Sequence, residues 1–208
     1  MSVSLIPNWR YINQLSAPVS EDDGVDENKN QNCVAADVAM CLWSLTGVQY
    51  SPDQLKDAVY GEAYTGPQSA AAYVKYCADH GMTLTPTNGQ PWDLIEGMKR
   101  ELESGRPSLF TVPTRWQDNV DTGSTHVMVA LGWNGNTSLF DIADPWGGIP
   151  RQLSGVYLAP RLRFNQTWQA GASAAAIIAS LTKQVADLTA QLAIANARIA
   201  AAQRALGG

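Results

Sequence analysis

The sequence predicts an α+β domain followed by one long helix, and three observations lead there. Helix-period runs with their own start and stop signals fill residues 32–105, and β-rich runs fill residues 108–164. From Gly171 onward the chain turns alanine-rich, with no further proline or aromatic residue. Helices first and antiparallel strands afterwards is the order of an α+β domain rather than of a doubly wound one. Composition permits it: 45% hydrophobic against 16% charged residues lets a chain of 208 residues bury a sizeable core.

The elements follow in order. Asn32 stands where it can cap a helix whose apolar positions Val34, Val38, Leu42 and Leu45 fall at helical spacing, with Gly47 as the stop. Ser51-Pro52-Asp53-Gln54 is a capping box with proline at the first helical position, which opens a second helix reaching about Tyr60. A third helix is expected from about Pro67 to His80, ended by Gly81, and a fourth from Pro91 to Glu103, ended by Gly105. The period then changes. Ser108–Pro113, His126–Trp133 and Thr137–Ile142 read as strands, the last two joined at Asn134-Gly135, a strong hairpin signal. Val156–Phe164 reads as a further strand.

The tail is separable by composition and charge. Residues 1–170 hold 11 basic and 18 acidic side chains, and the remainder hold three basic and one acidic. We place a first domain at 1–168 and a helical appendage at 169–208. In the tail, Ile178, Leu181, Val185, Leu188, Leu192, Ala195, Ile199, Ala202 and Leu206 follow alternating steps of three and four. Such a heptad seam packs on another helix, so residues 175–206 are expected to form a homo-oligomeric coiled coil or to dock on a partner helix. A single helix folded onto its own domain is the alternative. Lys183, Gln184, Asp187, Gln191 and Arg198 flank the seam and suit a solvated face.

Several function classes fall away. The net charge of −5 argues against a nucleic-acid surface. No apolar run approaches the roughly 18 residues of a membrane span. The N-terminus lacks the basic n-region and apolar core of a secretory signal, so synthesis in the cytoplasm is expected. Three cysteines cannot complete a disulfide framework. Cys77 and His80 make a two-ligand metal fragment with no second pair to complete it, so neither metal nor cofactor is expected. Five carboxylates between Glu21 and Glu27 read as a solvated insertion, with a cationic substrate or a calcium ion as the competing readings. Trp92, Trp116, Trp133 and Trp146 read as core or cleft wall.

Three residues could do chemistry together. Cys33 opens a helix, where partial positive charge favours the thiolate, the reactive form. Cys41 and Cys77 fit the ordinary use of a free cysteine as a small buried hydrophobe. His126 follows the loop Asp121-Thr122-Gly123-Ser124-Thr125 and begins a strand, from which it can face a cleft and accept a thiol proton. The hairpin then returns Asp144-Pro145-Trp146 towards His126, where Asp144 can bond one ring nitrogen and leave the other for the thiol. Asp144 as a plain turn residue before proline is the competing reading.

With these residues in place, Asn32-Cys33-Val34-Ala35-Ala36-Asp37-Val38-Ala39-Met40, Thr125-His126-Val127-Met128-Val129-Ala130-Leu131-Gly132 and Asp141-Ile142-Ala143-Asp144-Pro145-Trp146-Gly147-Gly148 resemble a papain-like cysteine peptidase. The branch most resembled is the bacteriocin-processing (double-glycine leader) peptidases and their stand-alone bacterial and phage relatives. Gly105-Arg106-Pro107 before a strand is also similar, and the likeness covers about residues 9–165. It implies the papain-like α+β fold, with Cys at a helix N-terminus and an antiparallel sheet carrying His and Asp. It further implies catalysis by Cys33, His126 and Asp144, with a glutamine upstream of the cysteine serving the oxyanion. Tyr11-Ile12-Asn13-Gln14 resembles the segment that carries that glutamine, which points to Gln14; Gln31 and Asn28, nearer to Cys33, compete for the role. Two departures stand out: nineteen residues separate Gln14 from Cys33, and Val34 follows the cysteine where glycine is common.

Two functions follow. The first is a thiol-dependent hydrolase of peptide or amide bonds, acting on a protein, a leader peptide or the stem peptide of bacterial peptidoglycan. With no transporter following the peptidase segment, leader cleavage coupled to export has the least support, and a phage lysin or virion component suits the pattern. The second is a catalytically weak or inactive papain-like module, a structural or binding part multimerised by its helix.

Overall fold

The structure, a computed structural model, describes residue 6 and residues 9–14 and 31–206. The acidic stretch 21–27 and Asn28 lie outside the described residues. Contacts divide the chain into two compact units, Met1–Ala172 and Ser173–Gly208.

In the first unit, α1 (Cys33–Thr46), α2 (Pro52–Tyr60) and α3 (Ala70–Asp79) precede β1 (Met82–Asn88) and α4 (Pro91–Glu103). Strands β2 (Ser108–Arg115), β3 (Val120–Asn134), β4 (Leu139–Asp144) and β5 (Ile149–Ser154) follow, then the one-turn α5 (Gly155–Leu158), a 3-10 turn (Ala159–Arg161) and β6 (Gln166–Ala172). Among the described residues the strands form one sheet in the order β1-β6-β2-β3-β4-β5, antiparallel at each pairing.

Alternation along the strands sends side chains to opposite faces of the sheet. Leu109, Val127, Val129, Leu131 and Ala143 join Val38, Met40, Leu42 and Tyr73 from the α1–α3 side. Phe110, Met128, Ala130, Phe140 and Ile142 join Leu94, Ile95, Met98 and Leu102 from the α4 side. Both faces are covered, which is why Val127–Leu131 is apolar at every position instead of alternating.

The local signals mostly act as expected. Ser51 Oγ accepts from Gln54 N–H at 3.0 Å while Ser51 N–H donates to Gln54 Oε1 at 3.0 Å, so both halves of the capping box form. Gly47 ends α1 in the left-handed conformation, with φ of 80°. Four expectations need correction. Val156–Phe164 is helical at its start rather than a strand: Ser154 Oγ accepts from Tyr157 N–H at 3.1 Å and caps α5, and the turn that follows holds Pro160. The β3–β4 turn begins at Gly135 but runs on to Ser138, longer than the tight turn that Asn134-Gly135 signals. Asn134 Oδ1 accepts from the N–H groups of Asn136 and Thr137, and Ser138 takes the positive φ of 55°. Asn32 occupies the position before α1 but does not cap it with its side chain. Helix α3 starts at Ala70 because Pro67–Ser69 runs outside it, with Ser69 extended.

Strands β1, β5 and β6 had no counterpart in the sequence reading. Strand β6 pairs with β1 and β2, and so carries the first unit to Ala172 instead of 168. The second unit is α6 (Ala174–Leu206), a 33-residue helix about 50 Å long. Ile178, Leu181, Val185, Leu188, Leu192 and Ile199 are all more than half exposed along it. The side chains of Gln184 and Leu206 lie outside the described residues. No described helix is long and apolar enough to cross a membrane.

Candidate active site

Cys33 is the first residue of α1, so its sulfur sits at the positive end of the helix. His126 lies near the middle of β3, where the exposed stretch 120–125 gives way to the buried one. Asp144 ends β4, and the β3–β4 hairpin brings it beside His126 although 18 residues separate them. His126 Nε2 donates to Asp144 Oδ1 at 2.8 Å, and His126 is also hydrogen-bonded to the Cys33 thiol. With Nε2 committed to the carboxylate, Nδ1 is the ring nitrogen left for sulfur. His126 is 7% exposed and Asp144 1%, so water screens this chain of contacts weakly.

The electrostatics follow from those contacts. Burial alone would push the Cys33 thiol up; its hydrogen bond to His126, the imidazole charge and the backbone of Val127 and Val34 outweigh burial and bring it below its ordinary value. Burial alone would lower His126, but the hydrogen bonds and charges of Asp144 and Cys33 push it up to about 9. Burial likewise works against the Asp144 carboxylate, and His126, Arg151 and the Trp146 N–H hold it below the usual range. All three shifts favour thiolate beside imidazolium beside carboxylate. Cys41 and Cys77 go the other way: burial pushes Cys41 well up and Cys77 to about 12.

The β4–β5 turn also carries the N-terminal segment. Asp144 Oδ1 accepts from Trp146 N–H at 3.0 Å, folding Pro145–Gly148 tightly. Gln14 N–H donates to the Pro145 carbonyl at 2.9 Å, and Gly147 N–H donates to Asn13 Oδ1 at 3.2 Å. Gly148 permits this approach: its φ is 63°, and a Cβ there would come within 3.1 Å of the Asn13 backbone nitrogen. These bonds bring Gln14 to the cleft despite its distance from Cys33 in sequence.

The cleft has a volume of about 620 Å³ and is lined by Cys33, His126 and Asp144 together with both Gln14 and Gln31. Gln14 is buried and Gln31 exposed. Pro67, Gln68, Thr114, Trp116, Gly123 and Thr125 also line the cleft, with Trp146 and Arg151 bonded to Asp144. Trp116 and Trp146 are thus cleft wall and Trp133 packs on the core as expected. Trp92 does neither; it is 54% exposed on α4. His80 ends α3 as expected. Among the described residues no cluster of three or more His, Cys, Asp or Glu is placed to hold a metal ion.

Three features escaped the sequence reading. Gln68 Nε2 donates to Asn32 Oδ1 at 2.8 Å and Gln68 Oε1 accepts from Tyr73 at 2.5 Å, which ties the cleft wall to the residue before Cys33. Asp37, one helical turn beyond Cys33, is fully buried and neither of its carboxylate oxygens is hydrogen-bonded among the described residues; burial, with the charges of Cys33 and Asp144, pushes it well above the carboxylate range. Arg151 Nε donates to Asp144 Oδ2 at 2.5 Å. Seven residues after Asp144 and beyond a Gly-Gly turn, Arg151 was accessible to a reading that continued the hairpin into β5. Asp37 carried a signal too, a carboxylate within the apolar run Val34–Leu42.

The model of the Peptidase C39-like family matches residues 6–176. Among solved structures, the peptidase domain of Streptococcus ComA, a bi-functional ABC transporter involved in a quorum-sensing pathway, superposes with a TM-score of 0.56 at 13% identity, covering 79% of this chain and 99% of that one. A protein described as a C39-like peptidase from Bacillus anthracis gives 0.57 at 13% identity, covering 82% and 97%. At that identity the likeness shows the shared fold. No curated protein sequence matches the chain.

Proposed function

The chain belongs to the Peptidase C39-like family, cysteine peptidases of the papain-like type, and from that premise we propose that it hydrolyses a peptide bond through Cys33, His126, Asp144 and Gln14. The observation that carries the proposal is His126 held between Asp144 and Cys33, which sits at a helix N-terminus, with all three lining one cleft. Cys33 Sγ, its proton passed to His126, attacks the scissile carbonyl carbon. The charge that develops on the carbonyl oxygen is met by the Cys33 backbone N–H and the Gln14 side-chain amide. His126 then gives the proton to the leaving amine, and a thioester remains. Water, deprotonated by His126, attacks the thioester and releases the acid and the free thiol. Asp144 holds the imidazole ring throughout and does not itself react.

The substrate is a peptide, and we place it among bacterial cell-wall stem peptides, with the chain acting as a phage lysin or virion component. This assignment rests on the resemblance to stand-alone bacterial and phage relatives. The seam on α6 supports an assembly through residues 175–206, because a helix exposing six large apolar side chains in heptad register gains by covering them. Incubation with purified peptidoglycan and, in parallel, with a peptide library read by mass spectrometry tests both levels. Cleavage abolished by Cys33→Ala and by His126→Ala supports the hydrolase, and stem-peptide products support the substrate. Wild-type turnover by Cys33→Ala would refute the mechanism, and an inert wild type that folds and binds a partner would favour a non-catalytic module.

A further inference from the structure

The Asp144 carboxylate has two oxygens with different tasks. Oδ1 accepts from His126 Nε2 and from the Trp146 N–H, and Oδ2 accepts from Arg151 Nε. Rotation about the last torsion of an aspartate is soft and nearly two-fold, so a carboxylate tied at one oxygen can tilt and carry the imidazole with it. A second bond at the other oxygen fixes the plane. Arg151 is itself braced: its guanidinium carbon lies 5.3 Å from the centre of the Trp116 ring. Trp116 is 5% exposed, meets Tyr157 edge-on, and its carbonyl accepts from Arg161 Nε at 2.7 Å. Backbone pairing sets Arg151 opposite Ile142, on the strand next to the one Asp144 ends. Among the described residues lining the cleft, Arg151 is the one side chain with a permanent positive charge.

We propose that Arg151 is a positioning residue for this site: bonded to Oδ2 and braced on Trp116, it fixes the plane of the Asp144 carboxylate so that Oδ1 stays aligned on His126 Nε2. The proposal rests on the hydrolase reading above. An exposed ion pair of this kind would contribute little. Here the carboxylate is 1% exposed, so losing its partner at Oδ2 leaves a buried charge half-satisfied.

Among the described residues, the charged or titratable groups that act on Asp144 are His126 from β3, Asp37 from α1 and Arg151 from β5, and Cys33 from α1 acts in turn on His126 and Asp37. Removing the one permanent cation makes every deprotonation in this set harder, so a positioning role has a pH signature that a purely structural role lacks. The test uses the full chain with Arg151→Met, which keeps length and contact with Trp116, Arg151→Lys, which keeps the charge, and Arg151→Gln, which keeps one N–H donor. Two readouts are taken: steady-state hydrolysis, and the pH dependence of Cys33 alkylation, which needs no substrate.

Arg151→Met is expected to lower kcat tenfold to a hundredfold with KM within about twofold, the scale at which a small misplacement of a catalytic group is felt. The acid limb of its alkylation profile moves to higher pH, and Arg151→Lys restores the limb. Should Arg151→Met fail to fold, Arg151→Gln carries the same expectation for the limb with a smaller loss of kcat. Wild-type kcat in the first folded variant of the two, an effect confined to KM, or an unmoved acid limb would overturn the proposal. If wild-type protein alkylates Cys33 no faster than its other cysteines, the hydrolase reading itself fails, which is a separate outcome.

Discussion

The ionisation of the three cysteines offers the sharpest single test. Cys77 is pushed to about 12 and Cys41 well above its ordinary 9, whereas Cys33 lies below 9. Near pH 7 the thiolate fraction falls tenfold for each unit of pKa, so Cys33 exceeds Cys77 by about a thousandfold or more in reactive form. Nucleophilicity rises with pKa with a coefficient of about 0.5, which returns roughly half of that advantage on a logarithmic scale. About thirtyfold faster alkylation of Cys33 remains, before counting that Cys41 and Cys77 are fully buried. The perturbation is Asp144→Asn, which removes the carboxylate that helps hold His126 at about 9. Displacement of an imidazole from 6.5 to about 9 corresponds to about 3 kcal/mol of preference for its charged form. Without that support the imidazole is neutral over more of the neutral range, and the thiolate loses its neighbouring cation. Iodoacetamide labelling across pH 5–9, quenched at intervals and mapped by peptide mass spectrometry, follows each cysteine separately. Cys33 should label first in the wild type and at least tenfold more slowly near pH 6.5 in Asp144→Asn, a change corresponding to about 1.4 kcal/mol. Equal labelling of all three cysteines, or an unchanged Cys33 profile in the variant, would refute the reasoning.

Gln14→Ala should lower turnover about a hundredfold with little change in KM while Gln31→Ala stays within a few-fold, as kinetics on any accepted peptide will report; the reverse ranking would move the oxyanion donor to Gln31. Asp37, whose value is raised on folding, contributes stability fully below about pH 4 that is lost as pH rises, at up to about 1.4 kcal/mol per pH unit until it ionises in the folded state. Asp37→Asn carries no such penalty, so its Tm relative to wild type should climb between pH 4 and pH 8, and parallel melting curves would show that Asp37 is already ionised in the fold. The chain cut after Ala172 should fold and sediment as a monomer while the full chain sediments as a larger assembly; monomers in both cases would refute the coiled-coil reading of α6.

Legibility in the sequence divided along the range of the interactions involved. Helices α1, α2 and α4 were readable because their signals are local: helical spacing after Asn32, the Ser51–Gln54 box, and Pro91 opening a run that ends near Gly105. Cys33, His126 and Asp144 were readable for a related reason, since a cysteine at a helix start, a histidine where a polar run turns apolar and an aspartate before proline each declare themselves within a few residues, although the expected loop 121–125 proved to be part of β3. Strands β1 and β6 were not. Met82–Asn88 holds a proline and Gln166–Ala172 holds two glutamines and a glycine, so neither carries a strong strand pattern. Each becomes a strand because the other lies beside it, in a pairing that joins Met82 to Ala172 across about half the length of the first unit. Val156–Phe164 failed in the opposite sense: its strand-like composition yielded to a serine cap and a proline.

By itself, then, the sequence determined the α+β class, the separate terminal helix, the family and the three residues proposed for the chemistry, all of them properties written in short stretches of chain. Tertiary structure alone decided the rest. It chose which glutamines reach the cleft: Gln14 is brought there by its backbone bond to Pro145, across the space left by Gly148. It set Arg151 on Asp144 and left Asp37 buried without a hydrogen-bond partner among the described residues. The physical reason is that capping, periodicity and turn chemistry act between neighbours in sequence. Desolvation, ion pairing and close backbone approach depend on distances that exist only once residues far apart in the chain have been brought together.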